Sequence, residues 1–263
     1  MTDNVTADSL RKAIKRGDVP PVILLHGEEG FYTDLIAREV ETLVAPEDRD
    51  FDLTLLYATD TEPAAVIEAA RRYPMMTSRQ VVIVRELQEG CKPRFTTTAY
   101  LNALAPYVRN PSDSTVLCLC CRGAQAKGAE FTKALKEGNG VALESKKLNE
   151  RVVAQTVADF IAGRGLTADP KALAMLCEFV GTDLSRLYNE VDKLTVTLGP
   201  QARVTPEAVE RNIGVSKEYN NFEFTSALAA HNSARVFKIL RRFAAAPKSN
   251  PPKLLVVKML NLF

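Results

Sequence analysis

The chain has 263 residues, a length sufficient for two domains and the start of a third. Of these residues 46% are hydrophobic and 25% are charged, a balance typical of a globular protein. No apolar run approaches the roughly 18 residues that a membrane span needs, and the polar residues 1–8 lack the apolar core of a signal peptide. The net charge of +2 hides an asymmetry, because ten Lys/Arg face four Asp/Glu from Arg203 onward. We therefore expect a cytoplasmic protein, not a membrane protein. For the basic C-terminal part the alternatives are binding to nucleic acid, binding to an acidic partner, and a solvated helical face without a partner.

The cysteines indicate neither a disulfide framework nor a metal centre. Their number is odd, which favours reduced thiols; they are Cys91, Cys118, Cys120, Cys121 and Cys177. Three of them fall in an apparent buried strand, where free cysteine behaves as a small hydrophobe. The two histidines lie far from this cluster in the sequence, so four zinc ligands at the usual spacing are not available. We expect no metal and no cofactor.

Strands and helices alternate over the first 147 residues. The predicted strands are Val22–Leu25, Phe51–Tyr57, Gln80–Val84, Thr115–Cys121 and Val141–Leu143. The predicted helices are Asp8–Arg16, Phe31–Val44, Glu62–Tyr73 (with Thr61 as a possible cap and Pro63 in the first turn), Thr96–Val108 and Ala129–Lys136. This alternation predicts an α/β domain over residues 1–147, with a mostly parallel sheet covered on both faces.

Beyond residue 147 the pattern predicts helices only. A small helical domain is expected over residues 148–214, with helices at Asn149–Arg164, Lys171–Val180, Asp183–Leu198 and Ala208–Ile213. In the first of these, the inward-facing residues are predicted to be Val152, Val153, Val157, Phe160 and Ile161. Residues 215–263 are expected to be the N-terminal part of a further, apparently truncated helical domain, with helices at 222–230, 233–246 and 252–263.

One connection stands out between the third predicted helix and the third strand. Pro74 disfavours helical dihedral angles at Tyr73, so the helix is predicted to stop there. Met75 and Met76 then fall on the connection itself. Their long thioether side chains suit an adaptable apolar contact with another protein. The alternative is that both side chains fold back into the core, and the spacing by itself leaves both interpretations open.

The first strand, its glycines and the following helix invite comparison with a phosphate-binding loop. That loop needs the pattern Gly-x-x-x-x-Gly-Lys-Ser/Thr, because backbone amides cradle the phosphates and the lysine meets their charge. Counting from Gly27, the second glycine is replaced by Tyr32, the lysine by Thr33 and the magnesium-binding hydroxyl by Asp34. The loop is degenerate, and its acidic residues would repel a polyphosphate.

Two other requirements of an ATPase also fail. After the third strand, Arg85 takes the place of the metal-binding aspartate, beside Glu86. The helix Asp183–Leu198 has Leu184 where a lid arginine is expected, and Arg186 is roughly 200° further around the helix. We interpret the α/β domain as an ATPase-like scaffold that does not bind ATP.

No catalytic motif appears elsewhere. The sequence contains no Gly-x-Ser-x-Gly elbow and no Cys/His pair that local sequence brings together. Asp48, Asp50 and Asp52 follow one another at alternate positions, lead into the second strand and are expected to form a solvated loop. Function is therefore expected to come from surfaces.

Motifs spread over nearly the whole chain are similar to those of the δ-subunit family of the bacterial DNA polymerase III clamp loader. They are Leu25-x-Gly27-x-Glu29-x-Phe31, Met75-Met76-Thr77-Ser78-Arg79-Gln80, Arg122-Gly123 with Lys127, Gly181-Thr182-Asp183-Leu184, Glu190-x-x-Lys193-Leu194, and Phe222 to Leu228 with Ala234 to Leu240. No single motif is as specific as a phosphate-binding loop, and their order and spacing carry the resemblance.

The resemblance implies a fold and a function. The fold is an ATPase-type (AAA+-like) α/β domain, a helical lid and a helical collar. The function is non-catalytic: such a subunit opens the β sliding clamp by inserting two apolar residues at a helix tip into a clamp pocket. These fall on Met75 and Met76, beside Tyr73 and Pro74. The implied partners are the clamp, the γ/τ and δ′ subunits through the collar, and primed DNA through the assembled complex.

Two other functions compete with this one. The first is an active ATPase whose phosphate-binding loop and acidic site lie at other positions than Gly27–Asp34 and Arg85–Glu86. The second is a DNA-binding module that uses the basic C-terminal part, for which a steep loss of affinity with added salt would be diagnostic.

Overall fold

The computed structural model describes residues 5–90 and 94–213, together with 232–234, 236, 237 and 241. The chain divides into two compact units, Met1–Leu148 and Asn149–Phe263. The predicted domain at 215–263, with its three helices, and Cys91 lie outside the described residues apart from those few positions. The division into three domains stays a prediction.

A five-stranded parallel sheet forms the centre of the first unit. Its strands are β1 (Val22–Gly27), β2 (Leu53–Tyr57), β3 (Gln80–Arg85), β4 (Thr115–Cys121) and β5 (Val141–Ser145), in the order β2-β3-β4-β1-β5. Every pairing is parallel, so all carboxyl ends meet at one edge of the sheet and all amino ends at the other. The predicted α/β class with a parallel sheet is confirmed.

Helices cover both faces of this sheet. They are α1 (Ala7–Arg16), α2 (Gly30–Glu41), the short α3 (Arg49–Asp52), α4 (Pro63–Ala70), α5 (Thr97–Arg109) and α6 (Ala129–Glu137). Helices α4, α5 and α6 pack on one face, where the strands contribute residues such as Leu24, Val82 and Leu117. Helices α1 and α2 pack on the other, against residues such as Ile23 and Ile83. Continuous apolar strands are buried on both sides, as parallel sheets require.

Several predicted boundaries are wrong by a few residues. Strand β2 begins at Leu53 because the preceding residues wind into α3. Helix α2 ends at Glu41, where the Thr42 hydroxyl donates to the Glu39 carbonyl at 2.7 Å and competes with further helical bonds. Helix α4 starts at Pro63 after Glu62, so Thr61 does not cap it.

The end of α1 shows why glycine is needed at one turn. Gly17 has φ of 77°, and its N–H reaches back to carbonyls of the last turn. The left-handed conformation costs glycine nothing and strains other residues, so the chain reverses here as predicted.

In the described part of the second unit, residues 149–213 contain four helices, α7 (Glu150–Ala162), α8 (Pro170–Val180), α9 (Leu184–Leu198) and α10 (Pro206–Ile213). The prediction of helices only is wrong, because two short parallel strands, β6 (Thr167–Ala168) and β7 (Arg203–Val204), pair in this unit. Four of the five predicted inward residues of α7 are buried. Val152 is 42% exposed, because it lies in the first turn, where its N–H is capped by Asn149.

None of the helices in the described parts of the chain combines the length and apolarity required to span a bilayer.

Candidate functional site

The connection between α4 and β3 carries an exposed apolar surface. We call residues Tyr73, Pro74, Met75 and Met76 the tip. Tyr73 is 83% exposed, Met75 74% and Met76 61%, whereas Pro74 is partly buried. The interpretation of the two methionines as core residues is therefore wrong. Neighbouring large apolar side chains that face water are a feature of protein-binding surfaces.

The backbone of the tip is bound to a single buried carboxylate. Asp52, at the end of α3, is only 1% exposed. The backbone N–H groups of Met75, Met76 and Thr77 donate to its carboxylate oxygens at 2.6, 3.0 and 2.7 Å, and the Thr77 hydroxyl donates at 2.8 Å. Three consecutive amides that converge on one anion form a concave backbone arrangement. The expectation that Asp52 belongs to a solvated loop is wrong.

These contacts also decide the charge state of Asp52. Burial by itself raises the pKa of a carboxyl group. The amide of Met75, the hydroxyl of Thr77 and the two remaining amides stabilise the charged form more strongly, so the pKa of Asp52 lies below its ordinary value of 3.8. The carboxylate is ionised at neutral pH and holds the tip as an anion.

A second side chain fixes the start of the same connection. The two hydrogens of the buried Gln80 side-chain NH2 group are shared among nearby acceptors, which are the carbonyls of Ala69 and Ala70 at 3.3 and 3.4 Å, the carbonyl of Arg72 and the hydroxyl of Thr115 at 2.9 Å. The Tyr107 hydroxyl adds a bond to the Ala70 carbonyl at 3.1 Å. These bonds satisfy the last carbonyls of α4, which explains why the helix ends at Ala70 and not at Tyr73.

Sequence reasoning missed both Asp52 and Gln80. The contact of Asp52 with this connection would follow from the register of the two parallel strands β2 and β3, in which Leu53 pairs with Val81. That register places the residues ahead of β2 beside those ahead of β3, at the amino edge of the sheet. An aspartate at that position is a natural acceptor for the loop amides.

The degenerate phosphate loop lies at the opposite, carboxyl edge of the sheet, after β1. Its backbone amides already have protein partners: the Gly27 N–H donates to the Ala124 carbonyl at 2.8 Å, and the Glu29 N–H to the Ser145 carbonyl at 3.2 Å. Gly27 also lies so close to β5 that an added Cβ would come within 2.1 Å of the Ser145 carbonyl oxygen. These amides are not available to cradle a phosphate.

The start of α2 is likewise occupied. The Glu29 carboxylate accepts from the Phe31 N–H at 2.9 Å, so a side chain of the protein takes the place of an anion at the helix N-terminus. Arg122, after β4, packs across Gly30, where an added Cβ would lie 2.9 Å from its Cγ, and pairs with Asp34 at 2.8 Å. At the lysine position, Thr33 is buried in α2.

The acidic pair of an ATPase has no counterpart here. Arg85 ends β3 and pairs with Glu41 of α2 at 2.5 Å. The next residue, Glu86, has φ of 61°. A cavity of about 330 Å³ adjoins them, and its charged walls comprise Arg85, Arg122, Asp34 and Glu86. Two cations are matched by two anions, so this cavity lacks the positive charge that a polyphosphate requires. The residues do not fit magnesium-ATP.

The remaining candidate groups are structural. Cys118, Cys120 and Cys121 are buried in β4, as predicted, and burial raises the pKa of Cys121 to about 11. Within the described ranges, no group of three His, Cys, Asp or Glu side chains is placed to hold a metal ion. Leu184 is buried at the start of α9, and Arg186 is exposed two residues further on.

Comparison with known proteins points to one family. Residues 25–146 match the family model for the DNA polymerase III delta subunit. The DNA polymerase III subunit delta of Bacillus subtilis (strain 168) is 27% identical over 221 residues, which are 82% of this chain and 63% of that protein. The chain thus spans less than two thirds of this relative's length.

A solved structure shows the same fold. The Bacillus subtilis DNA clamp loader delta protein superposes with a TM-score of 0.70 at 24% identity, covering 92% of this chain and 72% of that one. The match over residues 25–146 supports the resemblance of the chain to the DNA polymerase III delta-subunit family, and the superposition shows that the fold is shared.

Proposed function

We propose that this chain is a clamp-loader subunit of the replicative DNA polymerase III holoenzyme, which binds the β sliding clamp and opens it for loading onto primed DNA. The observation that carries the proposal is the tip, with Met75 and Met76 exposed on a backbone that is bound at three consecutive amides. Homology to the delta subunit supports the clamp-loader role.

The geometry suits insertion into an apolar pocket. A methionine side chain has no branch and a polarisable sulfur, so it adapts to an irregular pocket. The rigid backbone behind Met75 and Met76 lowers the entropy that binding would otherwise lose. Burying such side chains at the centre of an interface makes them hot spots.

The subunit is proposed to have no catalytic activity of its own. The amides of Gly27, Glu29 and Phe31 are already engaged, and Arg85 is paired with Glu41 where a metal-binding carboxylate would be needed. Nucleotide binding would require all of these contacts to be broken. The tip lies at the other edge of the sheet, so its function does not depend on this degenerate site.

The other partners follow from the resemblance. The γ/τ and δ′ subunits would bind through residues 215–263, and primed DNA would be reached through the assembled complex in the cytoplasm.

The direct test uses the sliding clamp of the same organism. The chain should bind the purified clamp in a pull-down and by surface plasmon resonance, and should release clamps from nicked circular DNA without ATP. A chain that folds normally and shows neither activity would refute the proposal.

A further inference from the structure

The tip poses a physical problem, because apolar side chains in water favour a collapsed conformation. The connection from Arg71 to Arg79 contains no regular secondary structure that would keep it extended. The side chains of Met75 and Met76 nevertheless remain largely exposed. Some interaction must hold the backbone with these side chains outward.

The Asp52 carboxylate supplies that interaction from a distant part of the sequence. Its four bonds come from residues 23 to 25 positions further along the chain. Both oxygens take part: Oδ1 accepts from Met75, and Oδ2 from Met76 and Thr77. With the amides of Met75 and Met76 directed inward at one anion, the two side chains are left facing solvent.

We propose that Asp52 is the positioning residue of the tip: its buried carboxylate holds residues 75–77 in the conformation that the clamp binds. This inference rests on the proposed function, because the partner is the apolar pocket of the clamp. Asp52 itself need not touch the clamp. Its contribution is to keep most molecules in the binding-competent conformation, and affinity falls in proportion to the competent fraction.

The experiment compares Asp52→Asn with Asp50→Asn. Asp50 lies in the same short helix, is exposed, and loses the same charge on substitution. Two quantities are measured: hydrogen exchange at the amides of residues 75–77, and affinity for the purified sliding clamp. Asp52→Asn should speed exchange at those amides about tenfold or more and weaken clamp binding about tenfold, because only about a tenth of the molecules stay competent. Asp50→Asn should change neither.

A double-mutant cycle shows whether Asp52 acts through the tip. In a Met75→Ala, Met76→Ala background the tip has nothing left to position, so adding Asp52→Asn should cause no further loss of affinity. A loss that is fully additive would overturn the inference. Unchanged amide exchange in Asp52→Asn, or faster exchange with unchanged clamp affinity, would overturn it as well.

A milder variant covers the case in which Asp52→Asn does not fold. Thr77→Val removes the hydroxyl that contacts Asp52 and the Arg79 backbone, and leaves the carboxylate with its three amides, so it should give a smaller change in both quantities. If neither quantity changes in Thr77→Val, the inference fails. If the unaltered chain does not bind the clamp, the proposed function fails, while the exchange data still decide whether Asp52 orders the tip.

Discussion

Replacing both tip methionines by alanine should weaken clamp binding greatly and leave the fold intact. Fully burying one exposed methionine stabilises a complex by roughly 1.5–3 kcal/mol. Met75 is 74% and Met76 61% exposed in the free chain. If binding buries that exposed part, the pair contributes about 2–4 kcal/mol, so Met75→Ala, Met76→Ala should lower affinity about 30- to 1,000-fold.

Thermal stability, in contrast, should hardly change. Exposed side chains contribute little to the folded state, and such substitutions usually change stability by less than about 0.5 kcal/mol. For a chain of this size that is a shift in Tm of no more than about 2 °C. Burial in the core would instead predict a loss of roughly 2–5 kcal/mol for each methionine.

The assay measures Tm and clamp affinity on the same preparations. Val196→Ala is the matched control, because Val196 is an 86% exposed apolar residue on α9, outside the tip. It should change neither quantity. A marked drop in Tm for the double variant, with clamp binding intact, would refute the assignment of the methionines to a binding surface.

Three other changes test the structure. Thr33→Lys should not create ATP binding, because position 33 is buried and Arg85 stays paired with Glu41; micromolar binding of a labelled ATP analogue would contradict this. Gln80→Leu should lower the free energy of unfolding by about 1–3 kcal/mol, because it removes the side-chain donor to the Arg72 carbonyl and the Thr115 hydroxyl from a buried position; an unchanged denaturation midpoint would count against that role. Because the folded-state pKa of Asp52 lies below its ordinary value, the stabilisation that its charge provides is present above that ordinary value and is lost as pH falls through the folded-state pKa. The stability difference between the unaltered chain and Asp52→Asn should therefore shrink from about pH 5 to about pH 2, and a difference that stays constant with pH would be evidence against the charged contact.

The carboxyl and amino edges of the sheet differ in what their backbone amides and side chains contact. At the carboxyl edge, the position of a nucleotide is taken by contacts within the protein, among them the Glu29 carboxylate at the start of α2. At the amino edge, an internal carboxylate orders a loop that presents apolar side chains. In both places a protein carboxylate accepts from backbone amides, and at the amino edge the side chains of Met75 and Met76 remain exposed.

The order and type of the elements follow from the sequence by itself. Apolar runs such as Thr115–Cys121 are long enough for a strand and too short for most helices. They alternate with segments in which apolar residues recur at the spacing of a helix. Strand β4 has the predicted bounds, and α1 ends at Arg16 as predicted. The failure of the phosphate-loop pattern at Tyr32 was also visible, because that motif depends on residue types at fixed local spacing.

Only the tertiary structure decided which side chains hold the site. Asp52 looked like one of three alternating surface aspartates, and its burial depends on β2 and β3 pairing in one register. The exposure of Met75 and Met76 likewise depends on that contact, since local spacing fits a core residue equally well. Local sequence determines dihedral preferences and hydrophobic periodicity, but a hydrogen bond across 23 residues exists only once the strands are adjacent.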